Sequence, residues 1–239
     1  MNTAVVTGAD RGLGSALCTG LLERGWRVAA GQYIPEWPEL GALAERYPDA
    51  LQIVPLDVGS TESVRAAAQA VAGWAERVDL LISNAGIGAG RSQLGQGLDY
   101  AAMQRAFNVN ALGAIRMVEA FLPLMESGLR RLCFVSSEAG CISLSHREGA
   151  SGYCMSKTAL NMAARIMHND LHPEGYTFRL YHPGWMRSYM SAADGGQKNT
   201  RGDMEPEEAA SKALPFFLED REDEGRLVLI DYQGLEWPF

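Results

Sequence analysis

The stretch Tyr153-Cys154-Met155-Ser156-Lys157 sets a phenol and an ammonium four residues apart. The run Thr158-Ala159-Leu160-Asn161-Met162-Ala163-Ala164 behind it predicts a helix, which would stack both side chains on one face. A free tyrosine, with a pKa of about 10, is a poor acid or base at neutral pH, but a nearby cation favours the phenolate and lowers that value. The pair is therefore suited to proton transfer. The same spacing also arises where a tyrosine packs at a helix start and a lysine reaches into water, so the chemistry needs corroboration from other residues.

The N-terminal stretch supplies a second signal. Thr3 to Thr7 is apolar and rich in β-branched residues, which predicts a buried strand ending at Gly8. Gly8-Ala9-Asp10-Arg11-Gly12-Leu13-Gly14 follows, and Leu13, Ala16, Leu17 and Leu21 then mark a helical face that stops at Gly25. Glycines in such a turn admit positive φ and close approach of a ligand, while the helix start offers free N–H groups and partial positive charge to a pyrophosphate. The spacing G-x-x-x-G-x-G differs from G-x-G-x-x-G, and no G-K-[ST] makes a P-loop. The glycines could serve the turn alone, but their place at the first strand-to-helix junction favours a dinucleotide.

Arg27 to Gly31 reads as a second strand. An acid at its end would hold the ribose hydroxyls of NAD, whereas NADP calls for a nearby cation. The chain shows Gly31-Gln32-Tyr33-Ile34 there, with no acid before Glu36 and with Arg11 in the glycine turn, so NADP is favoured. Arg11 facing solvent, with Gln32 on a ribose, is the alternative that keeps NAD open.

The remaining chain alternates strand and helix. A short helix lies between Pro35 and Pro48, and a third strand runs from Gln52 to Leu56 with Asp57-Val58 at its end, where an adenine would lie. Ser60 is placed to cap a helix with Glu62 in its first turn and Val64, Ala67, Ala68, Val71 and Ala75 as its buried stripe. Val78 to Ser83 is a fourth strand closed by Asn84-Ala85-Gly86. After a glycine-rich loop to Gly97, a long helical region spans Tyr100 to Met125, with Asn110 in its middle. Further strands are Arg131 to Ser136, Thr177 to Tyr181 and Arg226 to Ile230, and Pro206 starts a last helix. No linker or repeat divides the chain, so residues 1–239 are expected to form a single α/β domain with a doubly wound, parallel, seven-stranded sheet.

Composition narrows the function class. The 239 residues, 47% hydrophobic and 21% charged, are ordinary for a globular domain, and a formal net charge of -8 without a basic run argues against nucleic acid. No apolar run approaches the roughly 20 residues of a membrane span, and no basic leader precedes an apolar stretch at the N-terminus. Cys18, Cys133, Cys141 and Cys154 are spaced neither as a metal cage nor as a redox pair, which points to reduced thiols in a cytoplasmic protein. His168 and His172 lie four apart, but without an HExxH pattern and with Pro173 ending the helix no metal is expected.

Thr7-Gly8-(x3)-Gly12-Leu13-Gly14, Asn84-Ala85-Gly86, Asn110, Ser137, Tyr153-(x3)-Lys157 and Pro183-Gly184 together resemble the short-chain dehydrogenase/reductase family, in the right order and over essentially the whole chain. Gly184 to Met190 and Asp231 to Pro238 resemble more narrowly its C-factor and sniffer-type carbonyl reductase branch. The resemblance implies a Rossmann-like fold, helices on both faces, and interconversion of a ketone or aldehyde with an alcohol. Tyr153 would pass the proton, Lys157 would hold the nicotinamide ribose and lower the tyrosine pKa, Ser137 would bond the substrate oxygen, and Asn110 would anchor a water linked to Lys157. Cofactor contacts would come from Gly8, Asp10, Arg11, Gly12, Leu13, Gly14, Gln32, Asp57, Val58, Asn84, Ala85, Gly86, Tyr153, Lys157, Pro183, Gly184, Trp185 and Met186. NADP, or alternatively NAD, and a homodimer or homotetramer paired through the helices at Tyr100–Met125 and Gly152–Leu171 complete the expectation. A dinucleotide sensor without turnover, and a non-redox epimerase or dehydratase, are the competing readings.

One departure from the family concerns the interval from Ser137 to Tyr153, which is longer than usual, the extra residues lying around Ser145 to Gly149. It brings Ser136 in as an alternative to Ser137 and sets a charged loop at the substrate mouth. Met155, Trp185, Met186 and Met190 are candidates for an apolar pocket or for core. Gly195 to Asp203 reads as a flap, and Glu219 to Glu224 as a solvated turn.

Overall fold

The computed structural model of the chain describes residues 1–90, 93–190 and 198–239. Strands β1 (Thr3–Val6), β2 (Arg27–Gln32), β3 (Leu51–Pro55), β4 (Leu80–Ser83), β5 (Arg131–Val135), β6 (Thr177–His182), β7 (Leu229–Asp231) and β8 (Glu236–Trp237) form one sheet. Their order is β3-β2-β1-β4-β5-β6-β7-β8. Chain order reverses at β1, which pairs in parallel with β2 on one side and β4 on the other, so the carboxyl ends of β1 and β4 flank the crevice where such sheets take ligands. Seven strands are parallel as expected; the eighth is a correction. Asp231 accepts hydrogen bonds from Gln233 N, Leu235 N and Trp237 Nε1 at 2.8–2.9 Å, folding the C-terminal segment back so that β8 runs antiparallel to β7.

Period-two alternation sends successive side chains to opposite faces and makes two cores. In β1, Val5 joins the core beneath α3 (Thr61–Ala72), α5 (Gly113–Phe121) and α6 (Ser151–Leu171), with Met117, Phe121, Phe134 and Leu160. Ala4 and Val6 join the other core, beneath α1 (Gly12–Glu23), α2 (Glu39–Arg46) and α7 (Pro206–Leu218), with Leu17, Leu21, Leu214 and Phe217. Ser60 caps α3 by accepting the Ser63 N–H, and Val64, Ala67, Ala68 and Val71 are its buried face. The expected long helix is interrupted: α4 (Tyr100–Phe107) passes through a π turn at Asn108–Leu112 before α5. Among the described residues, no helix is long and apolar enough to cross a membrane.

The acidic run at Glu219–Glu224 is not simply a solvated turn. Arg131 and Arg179, each 1% exposed, reach it through the sheet edge. Arg179 bonds both carboxylate oxygens of Glu224 and the carbonyls of Phe216 and Glu219, while Arg131 bonds Asp220, Glu224 and the last carbonyls of α7. Buried guanidinium groups need such partners, and the turn supplies them. Of the expected flap, 195–197 lie outside the described residues; Asp203 N and Met204 O pair with Trp185 O and Arg187 N.

Candidate active site

The glycine turn opens directly from β1. Gly8 and Gly12 take φ of 62° and 60°, a region that side chains resist. At Gly14 the constraint is space: a Cβ there would stand 2.1 Å from Gly8 O and 2.7 Å from Asn84 Nδ2. The start of α1 carries no side-chain cap and no acid in its first turn. Its N–H groups and partial positive charge are therefore available to an anion, as a bound pyrophosphate requires.

Polar residues around the turn hold the scaffold. Thr7 Oγ1 accepts the N–H of Asn84 (3.0 Å) and of Ala85 (2.9 Å), and Asn84 Nδ2 returns bonds to Thr7 O and Gly8 O. Asp10, expected at the cofactor, is buried and directs Oδ1 to the N–H groups of Tyr33 and Ile34 at 2.8 Å, tying the turn to the end of β2. Asp57 Oδ1 likewise accepts Gly59 N, and Val58 is buried against Gly113. Arg11 lies with its guanidinium 4.6 Å from the Trp37 ring centre and 5.5 Å from that of Tyr189, two aromatics the sequence reading did not connect to it. A cation stacked in this way beside the end of β2 keeps a fixed position.

Asn110 sits in the π turn and is 2% exposed. Its Oδ1 accepts Ile87 N, and Nδ2 donates to Ile87 O and Ser156 Oγ. Ser156 in turn donates to Tyr153 O, which makes it a link in the site that sequence spacing did not single out. Gly86 faces both Asn110 and Lys157: a Cβ on it would be 3.3 Å from Asn110 Oδ1 and 3.6 Å from Lys157 Nζ. The extra residue taken up by the π turn re-aims this part of the helix, and Asn110 lies at this junction.

Tyr153 and Lys157 share the face of α6 as expected, with Nζ 5.9 Å from the centre of the phenol ring. Lys157 is 3% exposed and donates to Val135 O at 2.8 Å. Burial lowers its ammonium to about 8. The expected acidic phenol is not what the structure holds: burial pushes Tyr153 up to about 12, with the Ser137 hydroxyl opposing and Glu138 adding to the rise. Desolvation outweighs a cation held on Val135, so Tyr153 stays protonated at neutral pH.

The two serines separate cleanly. Ser136 Oγ donates to Asn161 Oδ1 at 2.6 Å and belongs to the interior. Ser137 lies close enough to Tyr153 to lower its phenol, and it donates to Glu138 Oε2 at 2.5 Å. Pro183 is buried; Gly184 takes φ of 79° with the Tyr232 ring where a Cβ would go. Trp185 is exposed, and Met186 bridges to Met204. Gln32 ends β2 half-buried. Burial raises the Cys154 thiol above its usual value.

A family profile described as short chain dehydrogenase matches residues 2–199. The chain belongs to that family. It is 40% identical over 163 residues to the C-signal of Myxococcus xanthus, covering 68% of this chain and 93% of that protein. It is 30% identical over 239 residues to 1-hydroxy-2-glutathionyl-2-methyl-3-butene dehydrogenase of Rhodococcus sp. strain AD45, covering 99% and 100%. The crystal structure of an NADPH-bound carbonyl reductase from chicken fatty liver superposes with a TM-score of 0.85 at 26% identity, covering 100% of this chain and 99% of that one. The C-signal and carbonyl reductase matches agree with the narrower branch resemblance, and the family makes the chain an NAD(P)-dependent oxidoreductase.

Proposed function

We propose that the protein interconverts a ketone or aldehyde with an alcohol, using NADP in preference to NAD. The observation that carries this reading is the stacking of Tyr153 over the buried Lys157 on α6, at the sheet edge that also bears Ser137 and the uncapped start of α1. The dinucleotide, when bound, supplies or takes the hydride. Gly8, Gly12, Leu13 and Gly14 accommodate its phosphates, Gln32, Asp57 and Val58 border its adenosine, and Asn84, Ala85, Gly86, Pro183, Gly184, Trp185 and Met186 border its other half. Asp10 acts at one remove, by fixing the end of β2.

Tyr153 donates its proton to the substrate oxygen in reduction and accepts it in oxidation, while Ser137 orients that oxygen. Lys157 lies beneath them for the ribose. Both amide hydrogens of Asn110 are engaged by Ile87 and Ser156, so a water anchored by this residue would meet its main-chain oxygen, and its side chain positions the floor under Lys157. The NADP preference is supported by Arg11 and by the missing acid at Gln32.

Replacement of Tyr153 by Phe tests the mechanism: kcat for NADPH-dependent carbonyl reduction should fall at least about 100-fold with cofactor affinity nearly intact. Undiminished turnover would refute the assignment, and tight cofactor binding by the wild type with no turnover on a broad carbonyl panel would favour the sensor. Met155, Met162 and Ile166 expose an apolar stripe on α6, and Phe107, Leu112 and Ile115 another beside it, which supports a homodimer or homotetramer paired through these helices. A monomer mass by light scattering would exclude it. Four free cysteines fit a cytoplasmic protein.

A further inference from the structure

The π turn that carries Asn110 is braced by a side chain beyond it. Gly113 N bonds Asn108 O, five residues back where an α-helix would use four. Arg116, in the first turns of α5, donates through Nη1 to that same carbonyl at 3.3 Å and to Val58 O at 3.2 Å. Its Nη2 donates to Asn108 Oδ1 at 2.7 Å, and its Nε to Thr61 Oγ1 at 3.2 Å. Asn108 Nδ2 donates in turn to Gly59 O at 3.0 Å. One guanidinium thus gathers the start of the π turn, the turn after β3 and the start of α3.

A π turn is rare because its slipped hydrogen bond competes poorly with the ordinary α-helical one. Here the slipped carbonyl has a cation as second donor, and such charge-assisted bonds are stronger than neutral ones. Gly113 lets the two turns meet: a Cβ on it would stand 2.9 Å from Val58 Cγ2 and 3.1 Å from Val58 O. Two residues past Asn108, Asn110 accepts Ile87 N at 2.8 Å and donates to Ser156 Oγ at 2.8 Å, and Ser156 donates to Tyr153 O. A continuous set of bonds therefore runs from Arg116 through the π turn to the helix of Tyr153 and Lys157.

We propose that Arg116, together with Asn108, is a positioning residue: the guanidinium stabilises the π turn and thereby sets Asn110 against Ile87 and Ser156. The inference rests on the reading of Asn110 as the floor of the site under Lys157. Without the brace the slipped bond relaxes to the α-helical one, and a one-residue slip turns Asn110 by up to about 100° around the helix axis. Arg116 and Asn108 also touch Val58 and Gly59, on the turn that borders the adenosine, so an effect through cofactor affinity has to be separated from an effect through Asn110.

Arg116→Met keeps the aliphatic stem and removes the guanidinium. At saturating NADPH, which takes cofactor affinity out of the measurement, kcat on the best carbonyl of a panel should fall about 10-fold or more. In an Asn110→Ala background the same change should cost less than about 2-fold, because the group it positions is gone. An unchanged kcat in the single variant, or the full loss repeated in that background, overturns the proposal. Amide hydrogen exchange reads the positioning without turnover. Ile87 N–H, held by Asn110 Oδ1, should exchange at least about 10-fold faster in Arg116→Met, while Ala85 N–H, held by Thr7 Oγ1, keeps its rate. Equal acceleration of both amides is what a merely structural role gives, and it ends the inference, as does an unmoved Ile87. Asn108→Ala removes the bonds of that side chain to Arg116 and Gly59 and should show the same selective change; it decides if Arg116→Met does not fold. If the wild type reduces no carbonyl, the oxidoreductase reading fails and the exchange rates alone judge the brace.

Discussion

Thr7→Val isolates the tie between β1 and β4. The two side chains have nearly the same shape, so the change removes a hydroxyl without opening a cavity. Thr7 is 0% exposed, and its Oγ1 accepts from Ala85 N at 2.9 Å and from Asn84 N at 3.0 Å. Asn84 N has a second acceptor in Ile82 O at 3.1 Å, so it loses one of two bonds; Ala85 N loses its acceptor outright. An orphaned donor costs about 1–3 kcal/mol and a lost bond about 1, giving roughly 2–4 kcal/mol in all. Urea unfolding followed by circular dichroism measures it, with Thr7→Ser as the control that keeps the hydroxyl and loses a methyl, for about 1 kcal/mol. Because the same tie sets Gly8 against Ala85 at the crevice, NADPH affinity should fall in Thr7→Val and hold in Thr7→Ser. A Thr7→Val loss below about 0.5 kcal/mol, or a serine variant as damaged as the valine, would refute the hydroxyl's role.

Three other outcomes are expected. Gly14→Ala should destabilise by about 3 kcal/mol or more, since its Cβ would collide with a backbone oxygen, whereas Gly88→Ala, with nothing within 4 Å, should stay within about 0.5 kcal/mol in thermal melts. Glu224→Gln should cost about 3–5 kcal/mol by leaving Arg179 buried without its carboxylate and Arg131 with Asp220 alone. Burial pushes that carboxyl up, but Arg179, the Arg221 N–H and Arg131 outweigh it and hold it below 4.5, so its stabilisation is present above that pH and lost as pH falls through the folded value; urea midpoints against pH should show the variant without this acid limb. Arg11→Ser should lower kcat/KM for NADPH about 10–100-fold and leave that for NADH nearly unchanged, as steady-state kinetics with both cofactors would show.

Features set by neighbours in sequence were legible. The Ser60 cap, the strand runs and the glycine turn follow from local chemistry and stand close to where the pattern placed them, with β7 starting three residues late, at Leu229 instead of Arg226. What was hidden depended on partners far along the chain. Asp10 and Asn84 read as ligand-facing because they sit in loops at the sheet edge, yet their side chains bond backbone 23–24 and 76–77 residues away. Likewise β8 exists through the bonds of Asp231, and the role of Glu224 through two arginines on other strands. The Tyr153–Lys157 pair was found by spacing, but the sign of the phenol's shift was missed, because spacing registers a charge and not the burial around it.

This division predicts how variants should sort. Thr7, Asp10 and Asn84 direct their side chains to backbone groups that bind the turns after β1, β2 and β4 together, and Asp57 closes its own turn after β3, so changing them should alter stability and cofactor affinity in step. Tyr153 and Arg11 meet chemistry through a phenol and a stacked guanidinium, and their loss should change rate or cofactor choice while the fold stays whole. Lys157 falls between the two classes, since its ammonium is both buried and bonded to Val135 O. Lys157→Met replaces it with an apolar chain of similar length, so stability should hold while turnover falls. If stability fell with turnover instead, the bond to Val135 would have to be counted as part of the scaffold rather than as a parking place for a catalytic cation.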